Sequence, residues 1–334
     1  MMDTKHYRCI FKKTDKKAIV KNSILIILIL LVCYLLRASI KEALLKIKET
    51  PLHVVLIIMI LSIMYQIFDG LIVTKTLRTC DNTFSYKNGI ICSYYYSFFR
   101  VVTFGSGTAA AGMYYANKKG IPLQESFGVF TLNYMFQKVA ITIYFLIVYI
   151  LNFKTMKNLY SSYNKYILLG TVVSALVAVV LISVCISEKL HSFVFSLADR
   201  YIKKDRYLDK IKDMKEKSGL LRKSSKNILK NKKFVLKVIA LNAVKLTCWY
   251  MIPMVILSDA GNVQLCIFPA LASMAVALSG IIPSPGGIGS TEFIFLIVFG
   301  PIVGKIQALS CAILYRFATY LLPFVIGIFT IHSS

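Results

Sequence analysis

The sequence predicts an all-α polytopic membrane protein with about six full spans and two re-entrant helical hairpins. Three observations support this fold class. Hydrophobic residues make up 57% of the chain and charged residues 16%, and the mean hydropathy of +0.67 exceeds what a water-exposed surface tolerates. Apolar runs recur at the length that crosses a bilayer, about 20 residues. Two further apolar stretches are broken in the middle by small residues and proline.

Six apolar runs are long enough to cross the membrane. We place full spans at residues 20–38, 52–73, 123–151, 165–187, 234–258 and 305–331. The first follows a lysine-rich N-terminus, as a signal peptide would, but no small-residue cleavage site comes after it. We therefore expect an uncleaved first span, with outer loops at residues 37–50 and 258–263.

The two interrupted stretches, residues 88–117 and 263–300, are predicted to be re-entrant hairpins. The first contains Gly105-Ser106-Gly107, and the second contains a proline-rich and glycine-rich run at 283–289. A backbone break at membrane depth leaves polar groups without partners unless protein or a water-filled cavity satisfies them. We therefore expect each tip to lie inside the protein. The alternative is two ordinary spans whose glycines allow close helix packing.

The formal charge of +25 is interpreted as a topology signal. Basic loops face the cytoplasm in multi-spanning proteins, and residues 1–22, 74–87, 117–119 and 188–233 would all lie on that side. The N-terminus is then cytoplasmic and residues 188–233 form a basic connector. Because topology accounts for the basic residues, we expect no direct nucleic acid binding.

The order of the predicted elements repeats within a single domain of residues 1–334. A span, a hairpin and a second span occupy residues 52–151 and recur at residues 234–331. The second set would enter the membrane from the opposite face. Inverted repeats with broken helices are typical of transporters, whose binding site lies at the repeat interface.

Neither cysteines nor histidines indicate a catalytic or metal site. The eight cysteines occur singly, without a C-x-x-C pair, and the four histidines lie far apart. Metal sites and nucleophilic hydrolases need such residues in characteristic groupings. We therefore predict no catalytic residues, no metal and no cofactor.

Ionisable residues at membrane depth are the strongest functional signal, because charge there is costly. Arg100, Lys138, Lys245 and Arg316 fall near the middle of apolar stretches, whereas Glu292 is the one acid clearly placed there, and Asp69 is nearer a span end. The excess of cations predicts an anionic guest such as a phosphate. For Lys138 or Lys245 alone, snorkelling or a buried pair is the alternative.

The second hairpin adds a glycine-rich turn before a helix N-terminus, an arrangement that suits phosphate. Glu292 would lie one turn into that helix, where it could pair with Arg316, take up a proton or contact a cationic substituent. The residues predicted to bind the anionic guest, interpreted as a lipid head group, are Arg100, Gly105, Gly107, Lys138, Lys245, Pro283, Pro285, Gly286, Gly287, Gly289, Glu292 and Arg316.

Three blocks of sequence carry a family resemblance. They are residues 282–292, residues 316–327 with Arg316 and Pro323, and residues 103–122. Together they resemble the flippase-like membrane region of lysylphosphatidylglycerol synthases and their stand-alone relatives. The likeness covers nearly the whole chain. Phe104 departs from it, since a proline is common there, which leaves the ligand preference of the first hairpin open.

The resemblance implies translocation of an anionic or aminoacylated phospholipid, such as lysylphosphatidylglycerol, across a bacterial plasma membrane, and a polyprenyl phosphate stays open as cargo. In the family a separate soluble domain adds lysine from lysyl-tRNA, and we expect that domain to be absent here. The alternative is a phosphatidylglycerol lysyltransferase-type protein, acting alone or with a separate synthase subunit, that contributes to resistance to cationic antimicrobials. A non-transporting scaffold and a homo-oligomer also stay open.

Overall fold

The computed structural model describes residues 27, 29–153, 228–258, 267–280, 282 and 284–331, with isolated positions between 172 and 219. These residues form helices and turns, with no β-strand among them. The predicted span 165–187 and the connector 188–233 lie almost entirely outside the described residues. The helices are α1 (Arg37–Glu49), α2 (Leu52–Leu77), α3 (Tyr86–Val102), α4 (Thr108–Lys118), α5 (Leu123–Leu151), α6 (Lys232–Ile256), α7 (Ile267–Ser279), α8 (Ser290–Val303) and α9 (Lys305–Ile331).

Four of these helices, α2, α5, α6 and α9, have the length and composition of membrane spans. At about 1.5 Å per residue, each exceeds the roughly 30 Å of a bilayer core. They agree with four of the six predicted spans to within a few residues at most ends. Of the predicted first span, the described part is helical over residues 29–35 and turns at Leu36.

The segment at 37–50, which we expected to be an outer loop, is helical. Helix α1 runs through this segment and packs against α9. Ala43 is buried, whereas Leu44 and Leu45 are exposed. The helix ends at Glu49, and the backbone of Thr50 is extended because a proline follows it. The charges that suggested a loop therefore belong to an amphipathic helix.

Both interrupted stretches form helical hairpins. The arms are short, with 17 and 11 residues in α3 and α4 and 13 and 14 in α7 and α8. Positions equally far from each turn contact one another. The ring centroids of Tyr95 and Tyr115 lie 5.4 Å apart, and those of Phe268 and Phe299 lie 6.2 Å apart. The arms are therefore antiparallel, which excludes straight spans interrupted by glycine.

Glycines let the helices around the first hairpin approach closely. A Cβ at Gly70 of α2 would lie 2.5 Å from the Ile90 Cα of α3, and one at Gly327 of α9 would lie 2.7 Å from the Tyr94 carbonyl oxygen. Helix α3 is therefore clamped between two spans by backbone proximity. Helix α2 also packs against α6. The order long helix, hairpin, long helix thus occurs twice, in α2–α5 and in α6–α9.

Candidate functional site

The tips of the two hairpins touch each other. The Gly286 N–H donates a hydrogen bond to the Phe104 carbonyl oxygen at 3.0 Å. Phe104 has φ +50° and Gly105 has φ +95°, and Gly286 has φ +63°, so the chain turns sharply at both tips. A left-handed Phe is uncommon. Gly105 and Gly286, which are far apart in sequence, therefore come together as parts of one site.

A cavity of about 770 Å³ lies beside these tips. We call it the tip cavity; its walls come from both tips and from α5, α6 and α9. Its lining includes Arg100, Lys138, Trp249, Gly287 and Tyr320. The volume is that of a small-molecule site, within the usual range of about 300–1,000 Å³. Lys138 lies near the middle of the 29-residue helix α5, so the cavity lies beside the middle of this long helix.

A second cavity, of about 460 Å³, adjoins the first. We call it the Asp69 cavity, after the acid in its wall. Arg100, Gly105, Tyr134 and Gln137 line both cavities. The first hairpin tip and one face of α5 therefore separate two hollow regions of the protein.

Lys245 is neutralised by an acid that the sequence analysis left out of the site. Its ammonium lies 2.9 Å from Asp69 Oδ1, and the Lys245 side chain is 2% exposed. The Tyr96 hydroxyl donates to the other carboxylate oxygen of Asp69. A buried lysine needs such a partner. The sequence signal for this pair was an acid in one apolar helix, α2, and a lysine in another, α6. Whether the two side chains face each other depends on how these helices pack.

Arg316 and Glu292 form the second ion pair, with Nη1 2.5 Å from Oε1. The other Glu292 oxygen accepts the Gly289 N–H at 2.9 Å. A carboxylate of the protein itself thus lies at the N-terminus of α8, where the helix dipole favours a negative charge. The pocket beside this pair holds about 20 Å³, room for about one water molecule. Neither Glu292 nor Arg316 lines the tip cavity, so their predicted head-group role stays a prediction.

Arg100 is held by a carbonyl group that a proline leaves without its helical donor. Pro323 has no N–H, so the Thr319 carbonyl four residues earlier cannot make its usual α-helical bond. The chain forms a π-helical turn here, at Phe317–Leu321, and Arg100 Nη2 donates to the Thr319 oxygen at 2.6 Å. The guanidinium also lies 5.6 Å from the ring centroids of Trp249 and Tyr320.

Arg100 and Lys138 carry the uncompensated charge. Among the described residues, no carboxylate lies within ion-pair distance of either side chain. The Lys138 ammonium lies over the Tyr134 ring at 5.5 Å. Arg100 Nε, Trp249 Nε1 and the Tyr320 hydroxyl are buried without a hydrogen-bond partner in the described part of the chain. The cavity wall therefore carries two positively charged side chains, and three donors without acceptors are buried in residues that line it.

A comparison that covers almost the full length of the chain identifies its family. The model of the lysylphosphatidylglycerol synthase TM region matches residues 19–327.

The chain belongs to this family.

The match confirms the resemblance drawn from the glycine and proline blocks, and it includes both hairpins and the cations Arg100, Lys138, Lys245 and Arg316. No curated protein matches the chain. Membership in the lysylphosphatidylglycerol synthase TM family, together with the apolar helices, supports a multi-pass membrane location and a lipid-related role.

The remaining predicted site residues lie around the tips of this family member. Gly107 precedes α4 and Gly289 precedes α8, and neither lines the tip cavity. Pro285 begins the 3-10 turn Pro285–Gly287, whereas Pro283 lies outside the described residues. Trp249, Tyr134, Gln137 and Tyr320 were not predicted. Uncharged residues inside apolar helices give no sequence signal that they line a cavity.

Proposed function

We propose that the protein translocates a phospholipid with an anionic or aminoacylated head group, such as lysylphosphatidylglycerol, across the bacterial plasma membrane. The observation that carries the proposal is the tip cavity, where Arg100 and Lys138 face a space large enough for a head group without a carboxylate partner among the described residues. A phosphate supplies the missing charge in either kind of lipid.

In this proposal the hairpin tips control movement of the head group between the two cavities. The Gly286 to Phe104 hydrogen bond joins the tips, and Arg100 and Gly105 border both cavities. The tips belong to hairpins that enter from opposite membrane faces, as elements of an inverted repeat, with the N-terminus in the cytoplasm. Alternating exposure of a midplane site is the usual mechanism of such repeats.

The test is a lipid-flipping assay on the reconstituted full chain. Vesicles carry fluorescent phosphatidylglycerol or fluorescent lysylphosphatidylglycerol in one leaflet, and a membrane-impermeant quencher reports how much label reaches the other leaflet. We expect faster exchange with the protein than in empty vesicles for at least one lipid. Exchange equal to that of empty vesicles for both lipids would refute the proposal.

A second candidate function is suggested by the family description, which names a synthase. Here the chain is the membrane part of a phosphatidylglycerol lysyltransferase, acting alone or with a separate synthase subunit. Purified chain, phosphatidylglycerol vesicles and radiolabelled lysyl-tRNA test it, with and without an added synthase domain. Labelled lipid formed by the chain alone would favour the transferase. Synthesis or translocation of an aminoacylated lipid would contribute to resistance to cationic antimicrobials.

A further inference from the structure

The tip cavity carries charge of one sign. Its described lining includes Arg100 and Lys138 and no acidic side chain. The two midplane carboxylates next to the site are already engaged. Asp69 bonds Lys245 and Tyr96, and Glu292 bonds Arg316 and the Gly289 N–H. A guest entering the tip cavity thus meets positive charge that no described carboxylate in the wall balances.

Aromatic faces, which could hold a cationic guest, are also engaged. Arg100 lies over Trp249 and over Tyr320, and Lys138 lies over Tyr134. A ring face attracts a cation through its quadrupole, but a second cation on the same ring meets repulsion from the first. These three rings therefore stabilise the protein's own cations and are less able to bind a cationic guest.

We propose that the tip cavity selects head groups of net negative charge and disfavours head groups that carry ammonium groups. This inference rests on the proposed function and narrows its substrate class to lipids with a phosphodiester or phosphomonoester and no amine. The phosphate would lie between Arg100 and Lys138. Its oxygens would accept from the guanidinium and ammonium groups, which are the donors that bind phosphate most strongly.

Lysylphosphatidylglycerol differs from phosphatidylglycerol by two ammonium groups on its lysyl ester. Both lipids offer the same phosphate, and they differ in the charge and the size of the added lysyl group. Phosphatidylethanolamine, which carries one amine on a small head group, separates the effect of charge from that of size. Like charges brought together in a partly desolvated site repel strongly. We expect phosphatidylglycerol to be flipped at least about tenfold faster than its lysylated form, because a tenfold ratio needs only a modest difference in binding free energy.

The experiment uses the full chain in vesicles with four fluorescent lipids: phosphatidic acid, phosphatidylglycerol, phosphatidylethanolamine and lysylphosphatidylglycerol. Flipping rates should fall in that order. Equal rates, or a faster rate for the lysylated lipid, would overturn the charge selection and leave lipid translocation standing. Acceleration of none of the four would refute the proposed function itself.

A charge reversal sharpens the test. Lys138→Glu places a carboxylate in the cavity wall and should shift the rate ratio toward lysylphosphatidylglycerol by about tenfold or more. Lys87→Glu, at an exposed lysine that lines neither cavity, is the matched control and should keep the wild-type ratio. An unchanged ratio in folded Lys138→Glu protein would contradict the inference. If this variant does not fold, the wild-type lipid series still decides.

Soluble phosphate esters provide a further test in this experiment, because they share the phosphate chemistry of the lipids. Uptake of radiolabelled glycerol 3-phosphate into the same vesicles should not exceed that of empty vesicles. Uptake without lipid flipping would show a carrier for a soluble anion, and would overturn both proposals.

Discussion

Lys138, Arg100, Lys245 and Arg316 have the same sign of charge but different surroundings. Lys245 and Arg316 each contact a carboxylate, Arg100 contacts a backbone carbonyl, and Lys138 contacts a ring face. A substitution should therefore affect stability at some of these residues and transport at others. The sequence predicted that all four lie at membrane depth. The Arg316–Glu292 pair and a buried pair for Lys245 were among the predicted alternatives, and both are present. The partner of Lys245 could not be predicted, because Asp69 lies 176 residues away.

Lys138→Gln should reduce lipid flipping by about tenfold, the loss expected when a charged hydrogen-bond donor to phosphate is removed. Its thermal stability in detergent should stay close to wild type, because no described carboxylate depends on Lys138. Lys87→Gln serves as the control. If the Lys138 variant flips lipid at the wild-type rate, Lys138 is not part of the transport site.

Asp69→Asn should destabilise the folded protein by about 3 kcal/mol, because Lys245 would be left buried without a counter-charge. Thermal unfolding in detergent measures the loss as a lower transition temperature. The double variant Asp69→Asn with Lys245→Met removes both charges and should recover part of the stability. A double variant less stable than the single one would contradict the pairing as the cause.

At the scale of single elements, breaks in helices position the site. Both hairpin turns were visible in the sequence as glycine-rich runs. The π-helical turn of α9 was not, although Pro323 signals a lost helical bond. Helix α1 was missed because its basic residues resembled a loop. An amphipathic helix and a charged loop have similar composition, and only the packing of Ala43 against the body separates them.

Pro323→Ala should alter the site without touching the described cavity lining. Alanine supplies an N–H to the Thr319 carbonyl, and this donor would compete with Arg100 for the same oxygen. We expect a reduced flipping rate in the vesicle assay, because Arg100 would lose its fixed position. Pro301→Ala, in α8 and outside both cavities, is the control for removing a proline from a helix. Equal rates for the two variants would refute the role of the Thr319 carbonyl in holding Arg100.

For the whole molecule, the sequence predicted the repeated order of long helix and hairpin, and the structure has this order. It did not predict that the hairpin tips would contact each other. Phe104 and Gly286 lie in different halves of the chain, and their hydrogen bond depends on how those halves pack. The two adjoining cavities follow from the same packing, so neither could be read from local patterns.

Joining the tips should stop transport. Phe104→Cys and Ser284→Cys, made after replacement of the native cysteines, are linked with a short bifunctional thiol reagent that a reductant cleaves. We expect flipping to fall to the level of empty vesicles after linking and to recover on reduction. Each single-cysteine protein should be unaffected by the reagent. Continued flipping by the linked protein would mean that the tips need not separate.

The carboxylate at the start of α8 has a consequence for a transport cycle. Glu292 bonds the Gly289 amide and Arg316, so the protein itself supplies the carboxylate at the second tip. A carrier must return to its starting side after unloading, and a tip that needed cargo to stay folded would stall on that return. In the proposed transport cycle, Glu292 would serve as the counter-ion of Arg316, and the return step would need no anion from outside the protein.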